Sequence, residues 1–339
     1  MSTNQEIFVA ATGTCIPDPT PLEAMIEAGL VPEEKRLLGY RSIAIADDEA
    51  PPDMAISAGC TAVERSGLER GDVSLVLHAS CWYQGLEAWQ AASYVANETV
   101  GSQSYAIDLQ QGCAGGLAAF QLGTAWLRSG FGSTVLLTTG DRFAPPVMDR
   151  CAMFVEAVLG DSGTAVVLST EGGFARVLAT AAVADNSQEG WMRGDAPFTS
   201  SPGEERPLRL KERAIAQADK VDPSIGLKKY EEGVLRTRDK ALSAANVELR
   251  DISRAVIQFV HRGQGQAENY DLLGFTEKQS LWSFGQHVGH LGAGDEFAGL
   301  NYLAENKELS PGELVLLLGV GAGFSSGAAV LEIINPPVW

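Results

Sequence analysis

Short apolar runs alternate with longer amphipathic segments along most of this chain. The short runs are rich in Val, Ile and Leu, as are strands that are buried on both faces of a sheet. The predicted strands are 74–79, 105–109, 135–139, 165–169, 255–260 and 314–318. The predicted helices are 53–66, 114–128, 227–244 and 294–305. Alternation of strands and helices in this order indicates an α/β fold.

A weak internal repeat runs through these elements. Three pairs of segments match in the same order: 68–77 with 248–257, 135–140 with 314–319, and 163–168 with 327–332. Within the first pair, residues 72–74 align with 251–253 at a spacing of 179 residues. The second pair has the same spacing, and the third has a spacing of 164. Matches in a constant order are typical of a duplicated unit. They predict two α/β halves, at 1–172 and 173–339.

Charge and composition narrow the class of protein. The 339 residues include 43 Asp and Glu but only 25 Lys and Arg, which gives a formal net charge of −18. Because phosphate binding needs neutralising cations, nucleic acid is not an expected partner. No apolar run reaches the roughly 18 residues of a membrane span, and residues 1–6 lack the pattern of a signal peptide. We expect a cytoplasmic protein without membrane partners.

The cysteines and glycines give no sign of a metal or a resident cofactor. Five scattered cysteines without CxxC spacing predict neither a disulfide framework nor a zinc site. The segment GVGAG (319–323) looks superficially like a dinucleotide loop. It follows the last large strand, however, and no helix or acidic ribose ligand comes after it. Its backbone N–H groups are better suited to an oxyanion.

Cys113 is the best candidate for a nucleophile. In DLQQGCAGGLAAFQLGTAWLRSG (108–130) a short strand runs into a Gly-rich turn that carries Cys113, and a helix follows. At a helix N-terminus the unpaired N–H groups and the dipole favour negative charge, which lowers the pKa of a thiol toward a reactive thiolate. The small neighbours of Cys113 leave room for a substrate.

Four histidines are available as partners of this thiol: His78, His261, His287 and His290. His261 follows a predicted strand at its carboxyl end, which faces the ligand crevice in α/β sheets. The repeat spacing added to Cys113 gives position 292, so His290 is expected to face Cys113 across the pseudo-symmetric centre, with Asp295 orienting it or capping a helix. His78 is expected in the core, and His287 receives no role.

Residues 206–240 are locally basic, with ten Lys or Arg against six Asp or Glu. A solvated surface helix explains this pattern, and so does a docking surface that steers an acidic partner. If a carrier protein docks here, the candidate residues are Arg209, Lys228, Lys229, Arg236 and Arg238.

The motif around Cys113, LGDSGTAVVL (159–168), the His261 strand end, GHLGAGD (289–295) and GAGFSSGAA (321–329) occur in a familiar order. Together they resemble the β-ketoacyl-acyl-carrier-protein synthase III family of the thiolase superfamily, over nearly the whole chain. The resemblance implies a thiolase-like, five-layered αβαβα fold built from two pseudo-symmetric halves. It also implies a homodimer, and an acyl group carried by Cys113 as a thioester.

The chain departs from the condensing members of this family at His290, where they have an Asn that helps to stabilise an enolate. Their catalytic histidine position is filled by His261, but residues 262–264 differ from their following motif. The GHxGxxD pattern of His290 and Asp295 is similar to the ketosynthase-III-like acyltransferases and starter-unit enzymes of polyketide antibiotic pathways. In those acyltransferases Cys, His and Asp act as a triad.

We therefore expect an acyltransferase. Cys113 takes an acyl group from an acyl-carrier-protein or coenzyme A thioester, and the backbone N–H groups of Cys113 and Ala322 hold the oxyanion. His290, oriented by Asp295, then deprotonates a hydroxyl, amine or carrier-thiol acceptor. Three alternatives stay open: a decarboxylative condensing enzyme that uses His261, a non-catalytic partner subunit, and a thioester hydrolase.

Overall fold

The computed structural model describes residues 5–151, 153–154, 156–201, 207–260 and 269–339. The strands in this part of the chain are β1 (Phe8–Cys15), β2 (Pro19–Pro21), β3 (Ser42–Ala44), β4 (Val73–Ala79), β5 (Tyr105–Leu109), β6 (Thr134–Asp141), β7 (Ser162–Ser169), β8 (Ala175–Ala184), β9 (Ile252–Ile257), β10 (Leu314–Val320) and β11 (Ser325–Ile333). The α-helices are α1 (Leu22–Glu27), α2 (Pro51–Ser66), α3 (Ala91–Thr99), α4 (Gly115–Arg128), α5 (Gly190–Arg193), α6 (Leu210–Ala218), α7 (Pro223–Ala245), α8 (Asn269–Leu272), α9 (Glu277–Ser280), α10 (Trp282–Val288) and α11 (Asp295–Glu305). Two short 3₁₀ turns, Gly112–Ala114 and Gly292–Gly294, lead directly into α4 and α11.

Nine strands form one hydrogen-bonded array in the order β5-β4-β6-β7-β1-β8-β11-β10-β9. Strand β4 is parallel to β5 and β6, whereas β7 is antiparallel to β6 and β1. The second half repeats this pattern, because β9 is parallel to β10 while β11 is antiparallel to β10 and β8. Strands β9, β10, β11 and β8 therefore correspond to β4, β6, β7 and β1. The two sheets join where β1 pairs with β8 over only two residue pairs.

The helices lie in three layers around these two sheets. Helices α2 and α3 cover the outer face of the first sheet, and α7 covers the outer face of the second. Helices α4 and α11 lie between the sheets and contact strands of both. Their buried faces meet at Phe120 and Phe297, whose ring centroids are 6.3 Å apart within the largest apolar cluster. The result is the five-layered α/β arrangement that the family resemblance implies.

The predicted strands and helices are all present, with ends displaced by at most a few residues. The largest displacement is at the start of α7, predicted at 227 and observed at Pro223; β9, predicted at 255–260, is observed at Ile252–Ile257. Strands β1, β8 and β11 were not predicted, because they are rich in Ala, Gly and Ser rather than in typical strand formers. The boundary at 172/173 stays a prediction.

The repeat is incomplete at one edge. Strand β5 ends the first sheet, and the spacing of 179 residues pairs it with residues that form α10. In the described part of the chain, β9 is consequently the opposite edge of the array. None of the described helices has the length and apolarity needed to cross a lipid bilayer.

Candidate active site

The candidate site lies where the N-termini of the two central helices meet. The 3₁₀ turn before α4 carries Cys113, and the corresponding turn before α11 follows His290. The two turns pack against each other. Because each helix presents its positive dipole end and unpaired N–H groups here, the meeting point favours negative charge.

Cys113 is held in the tight turn that the sequence predicts. Gly112 has a φ of +55°, a left-handed conformation that a residue with a side chain adopts only at a cost. The Sγ atom of Cys113 lies 3.0 Å from Nε2 of His290 and 3.8 Å from Sγ of Cys81. The thiol thus has one imidazole partner and one thiol partner.

Asp295 orients the imidazole. The carboxylate is an acceptor only, so Nδ1 of His290 donates to Oδ2 of Asp295 at 2.6 Å, which directs Nε2 toward Cys113. The same carboxylate accepts from the N–H of Leu291 at 2.7 Å and from the N–H of Phe259 at 2.9 Å. Both Asp295 and His290 are buried. The ring position is therefore fixed by a fully hydrogen-bonded carboxylate.

The backbone of His290 is fixed by a segment of the first half. The N–H of His290 donates to the carbonyl of Val158, and the N–H of Gly160 donates to the carbonyl of His290, both at 2.9 Å. This pairing is a short parallel bridge between Leu159 and His290. The two halves therefore meet at His290, as the sequence predicts, and they do so through backbone hydrogen bonds.

The three groups shift one another's charge state. A hydrogen bond from Cys81 and the charge and hydrogen bond of His290 outweigh burial, and lower the pKa of Cys113 to about 5. Burial opposes the charged form of His290, but the negative charges of Asp295 and Cys113 raise its pKa well above the ordinary value. At neutral pH the pair is therefore a thiolate and an imidazolium.

Asp141 is a further part of the site that the sequence analysis missed. It ends β6, and its Oδ1 accepts from the N–H groups of Cys81 at 2.8 Å and Trp82 at 3.1 Å. Its Oδ2 accepts from the N–H of Ala293 at 3.1 Å. Burial raises the pKa of Asp141 to about 7, although these N–H groups lower it. One carboxyl group thus ties the Cys81 segment to the turn that follows His290.

That turn leaves no room for a larger residue. Gly292 has a φ of +63°, and a Cβ atom there would lie 2.5 Å from Oδ2 of Asp141. The GHLGAGD motif contains Gly292 but gives no indication of Asp141, because Asp141 is distant in sequence.

The Gly-rich segment at 321–323 reaches the same place. A Cβ atom on Gly112 would lie 3.5 Å from the backbone N of Ala322, and one on Gly321 would lie 3.0 Å from the backbone N of Ala114. The structure therefore brings Ala322 beside the turn that carries Cys113. An oxyanion site formed by the N–H groups of Cys113 and Ala322 requires this proximity.

The other histidines lie elsewhere or outside the described residues. His78 is fully buried on β4, where Thr138 and Gln84 pair with its two ring nitrogens. His287 is exposed in the last turn of α10. His261 falls outside the residues that the structure describes.

Of the five basic residues considered for docking a carrier protein, Arg209 precedes α6 and the other four lie on α7. All but one of them are exposed. Arg209, Lys228, Lys229 and Arg236 are exposed. Arg238 is not: its side chain is only 14 % exposed and donates to the carbonyl of Leu273 at 2.7 Å. The Arg238 guanidinium is consequently a structural group, and we remove it from the docking candidates.

Matches to family models and to a solved structure over nearly the whole chain identify the protein family. Residues 107–186 match the model of 3-oxoacyl-[acyl-carrier-protein] synthase III, and residues 242–333 match the model of its C-terminal part. The solved structure of ChlB3, an acyltransferase, is 34% identical, with a TM-score of 0.91 over 98% of this chain and 99% of that one. The chain belongs to the 3-oxoacyl-[acyl-carrier-protein] synthase III family.

Other members of the family are more distant in sequence. The β-ketoacyl-[acyl-carrier-protein] synthase III of Sulfurovum sp. (strain NBC37-1) is 24% identical over 297 residues, which is 86% of this chain and 84% of that protein. The synthase III structure from Pseudomonas aeruginosa PAO1 is 21% identical, with a TM-score of 0.76 over 98% and 99% of the two chains. These likenesses confirm the thiolase-like fold.

The chemical groups that meet at the site are a thiol, an imidazole and backbone N–H groups. No group of three or more His, Cys, Asp or Glu side chains within the described ranges is arranged to hold a metal ion. The thiolate, the imidazolium and the converging backbone N–H groups are the elements of nucleophilic acyl transfer.

We predict that Cys113 is the thiol that iodoacetamide alkylates first, with a rate that falls as the pH decreases through about 5. Below that pH the thiolate is protonated and loses its reactivity. Peptide mass mapping after brief labelling at a series of pH values measures this. Cys113→Ala is the control and should lose the fast label, whereas a midpoint near the ordinary thiol value of about 8.5 would contradict the site electrostatics.

Proposed function

We propose that this member of the family is an acyltransferase that carries its acyl group on Cys113. The observation that supports the proposal is the continuous line from Asp295 through His290 to the Cys113 sulfur, at 2.6 and 3.0 Å. A nucleophile, a base and an orienting carboxylate in this order are the arrangement of hydrolase-like acyl transfer. The donor is an acyl-carrier-protein or coenzyme A thioester.

In the first half-reaction the Cys113 thiolate forms a bond with the acyl carbonyl carbon. As the carbon–sulfur bond of the donor breaks, the departing thiolate takes the proton from Nε2 of His290. The N–H groups of Cys113 and Ala322 are proposed to hold the tetrahedral oxyanion, where one such donor contributes roughly 3–4 kcal/mol in other acyl-transfer enzymes. The products are an acyl-enzyme and the free thiol of the donor.

In the second half-reaction His290 is the base. The donor thiolate has taken its Nε2 proton, and acylation removes the negative charge of Cys113, one of the two charges that raise the pKa of His290, so the imidazole is neutral. The acceptor hydroxyl, amine or carrier thiol gives its proton to Nε2 while its heteroatom bonds to the carbonyl carbon. Cys113 then departs as a thiolate, and the imidazolium–thiolate pair is restored.

The residue at position 290 favours a hydroxyl, amine or thiol acceptor over a carbanion. A carbanion acceptor would require the enolate-stabilising Asn of condensing enzymes, and this chain has a buried imidazole committed to Asp295 there. The likeness to ChlB3, an acyltransferase, supports the same choice. The alternative is decarboxylative condensation of a starter unit, supported by the names of relatives such as the Sulfurovum enzyme.

The exposed basic residues suit a carrier-protein donor. Arg209 immediately precedes α6, and Lys228 and Arg236 are exposed on α7, in a chain whose net charge is −18. Lys229 is held by Ser187 at 2.9 Å and faces Asp185. Local positive charge of this kind steers an acidic partner despite the overall repulsion.

A second copy of the chain is proposed to cover the edge of the sheet at β5. Tyr105 on this edge strand is 61% exposed and stacks on Trp126, which contacts Phe131, itself 67% exposed. An edge strand with unpaired backbone groups and apolar side chains is a template for pairing with another strand. Pairing of two β5 strands would give a homodimer whose interface comes mainly from the first half.

We predict that His290→Ala still allows some acyl loading but slows transfer to the acceptor by about 100- to 10,000-fold, because the base is lost. Asp295→Asn should be milder, since it perturbs ring orientation and leaves the base in place. Intact mass during a single turnover from pre-loaded acyl-enzyme measures both. Asp271→Asn, at an exposed position on α8, is the control. Transfer by His290→Ala at the wild-type rate would contradict the role of His290 as the base.

The product of the wild-type enzyme separates the two functions. Supplied with an acyl donor and malonyl carrier protein, it should transfer or hydrolyse the intact malonyl group and release little carbon dioxide, because no enolate-stabilising Asn stands at position 290. His290→Asn is expected to increase that release. Label in the malonyl carboxyl group measures it, and a β-ketoacyl product formed in step with carbon dioxide would overturn the acyltransferase proposal.

We predict that light scattering gives the wild type the mass of two chains. Tyr105→Glu together with Phe131→Glu should reduce that mass to one chain, because the charges would be buried in the paired edge. Phe198→Glu is the control, since this aromatic residue is 95% exposed and distant from β5 in sequence. A wild-type mass of one chain would rule out the dimer.

A further inference from the structure

A second thiol lies against the nucleophile. Sγ of Cys81 is 3.8 Å from Sγ of Cys113, a distance at which an S–H group donates to a sulfur acceptor. Both side chains are half-buried, and neither is in a disulfide. The two half-reactions described above make no use of Cys81.

The position of Cys81 is determined by its backbone. It follows β4 by two residues, and the N–H of Ser80 before it donates to the carbonyl of Leu109 at 3.1 Å. The N–H groups of Cys81 and Trp82 both donate to Asp141. Because Asp141 also accepts from the N–H of Ala293 in the turn after His290, one buried carboxyl group connects the Cys81 segment to that turn.

The two thiols differ in charge state. The hydrogen bond to Cys113, burial and the nearby Asp141 raise the pKa of Cys81 well above its ordinary value. The pKa of Cys113 is lowered to about 5, with the Cys81 hydrogen bond as the largest cause. Near neutral pH the pair is therefore one thiol and one thiolate. A hydrogen bond to an ionised acceptor is roughly twice as strong as a neutral one.

We propose that Cys81 is a further catalytic residue of this site, whose S–H donates to the Cys113 sulfur and stabilises it as the thiolate. The proposal rests on the proposed function in taking Cys113 as the acyl carrier. The hydrogen bond maintains the nucleophile before loading. It acts again when the Cys113 sulfur leaves the acyl carbonyl carbon as a thiolate, so both half-reactions depend on it.

The protonated state of Cys81 also explains why two adjacent sulfurs need not compete for the acyl group. A thiol is a poor nucleophile compared with its thiolate. Cys81 therefore remains a donor beside the thioester on Cys113, and the acyl group stays on one sulfur.

The test is the pH dependence of Cys113 alkylation by iodoacetamide, followed by peptide mass, in a set of variants. Cys81→Ala removes the donor, and Cys81→Val removes it with less loss of volume. Cys81→Ser replaces the S–H by an O–H donor. Cys60→Ala is the matched control, since it removes a half-buried thiol from α2 in the outer layer.

We expect Cys81→Ala and Cys81→Val to move the midpoint of Cys113 alkylation to higher pH, which slows labelling at about pH 6 by roughly tenfold or more. Cys81→Ser should return the midpoint toward the wild-type value, and Cys60→Ala should leave it unchanged. In single-turnover assays the Ala variant should slow both acyl loading and transfer, and the Ser variant should recover both.

An unchanged midpoint in Cys81→Ala, or equal shifts in Cys81→Ala and Cys81→Ser, would overturn the proposal. If the Ala variant fails to fold, the comparison of Cys81→Val with Cys81→Ser decides the same question. Alkylation uses neither acyl donor nor acceptor. A wild type that shows the low midpoint but transfers no acyl group would therefore overturn the proposed function and leave the role of Cys81 standing.

Discussion

The site depends on one buried carboxylate, that of Asp295. It lies at the first residue of α11 and accepts three hydrogen bonds, from the His290 ring and from the backbone N–H groups of Leu291 and Phe259. A buried charge is costly unless it is paired and fully hydrogen-bonded, and here the helix N-terminus adds favourable potential. Because Phe259 lies two residues beyond the end of β9, the same carboxylate fixes the second sheet to the imidazole.

The duplicated fold explains why such a carboxylate faces a thiol. Each half places the N-terminus of its central helix at the same point, so two positive dipole ends converge. One of them favours the thiolate of Cys113, and the other favours the carboxylate of Asp295. The imidazolium of His290 lies between these two anions and is stabilised by both.

Much of this arrangement could be predicted from sequence, since periodicity locates β4, β6 and α4 and the repeat spacing leads from Cys113 to His290. Strands β1, β8 and β11 could not, because their small residues have low strand propensity and form strands only between neighbours. Cys81 and Asp141 have no local motif. Their contacts arise where the ends of β4 and β6 meet the 3₁₀ turn before α11, which spacing along the chain does not reveal.

The bridge between Leu159 and His290 joins the two halves of the chain at the candidate base itself. The imidazole belongs to the second half by sequence, yet its main chain is paired with the first half, and the thiol also comes from the first half. Neither half contains the nucleophile and its base together. Either half alone would present one helix end without its partner, so this chemistry requires the two halves in contact.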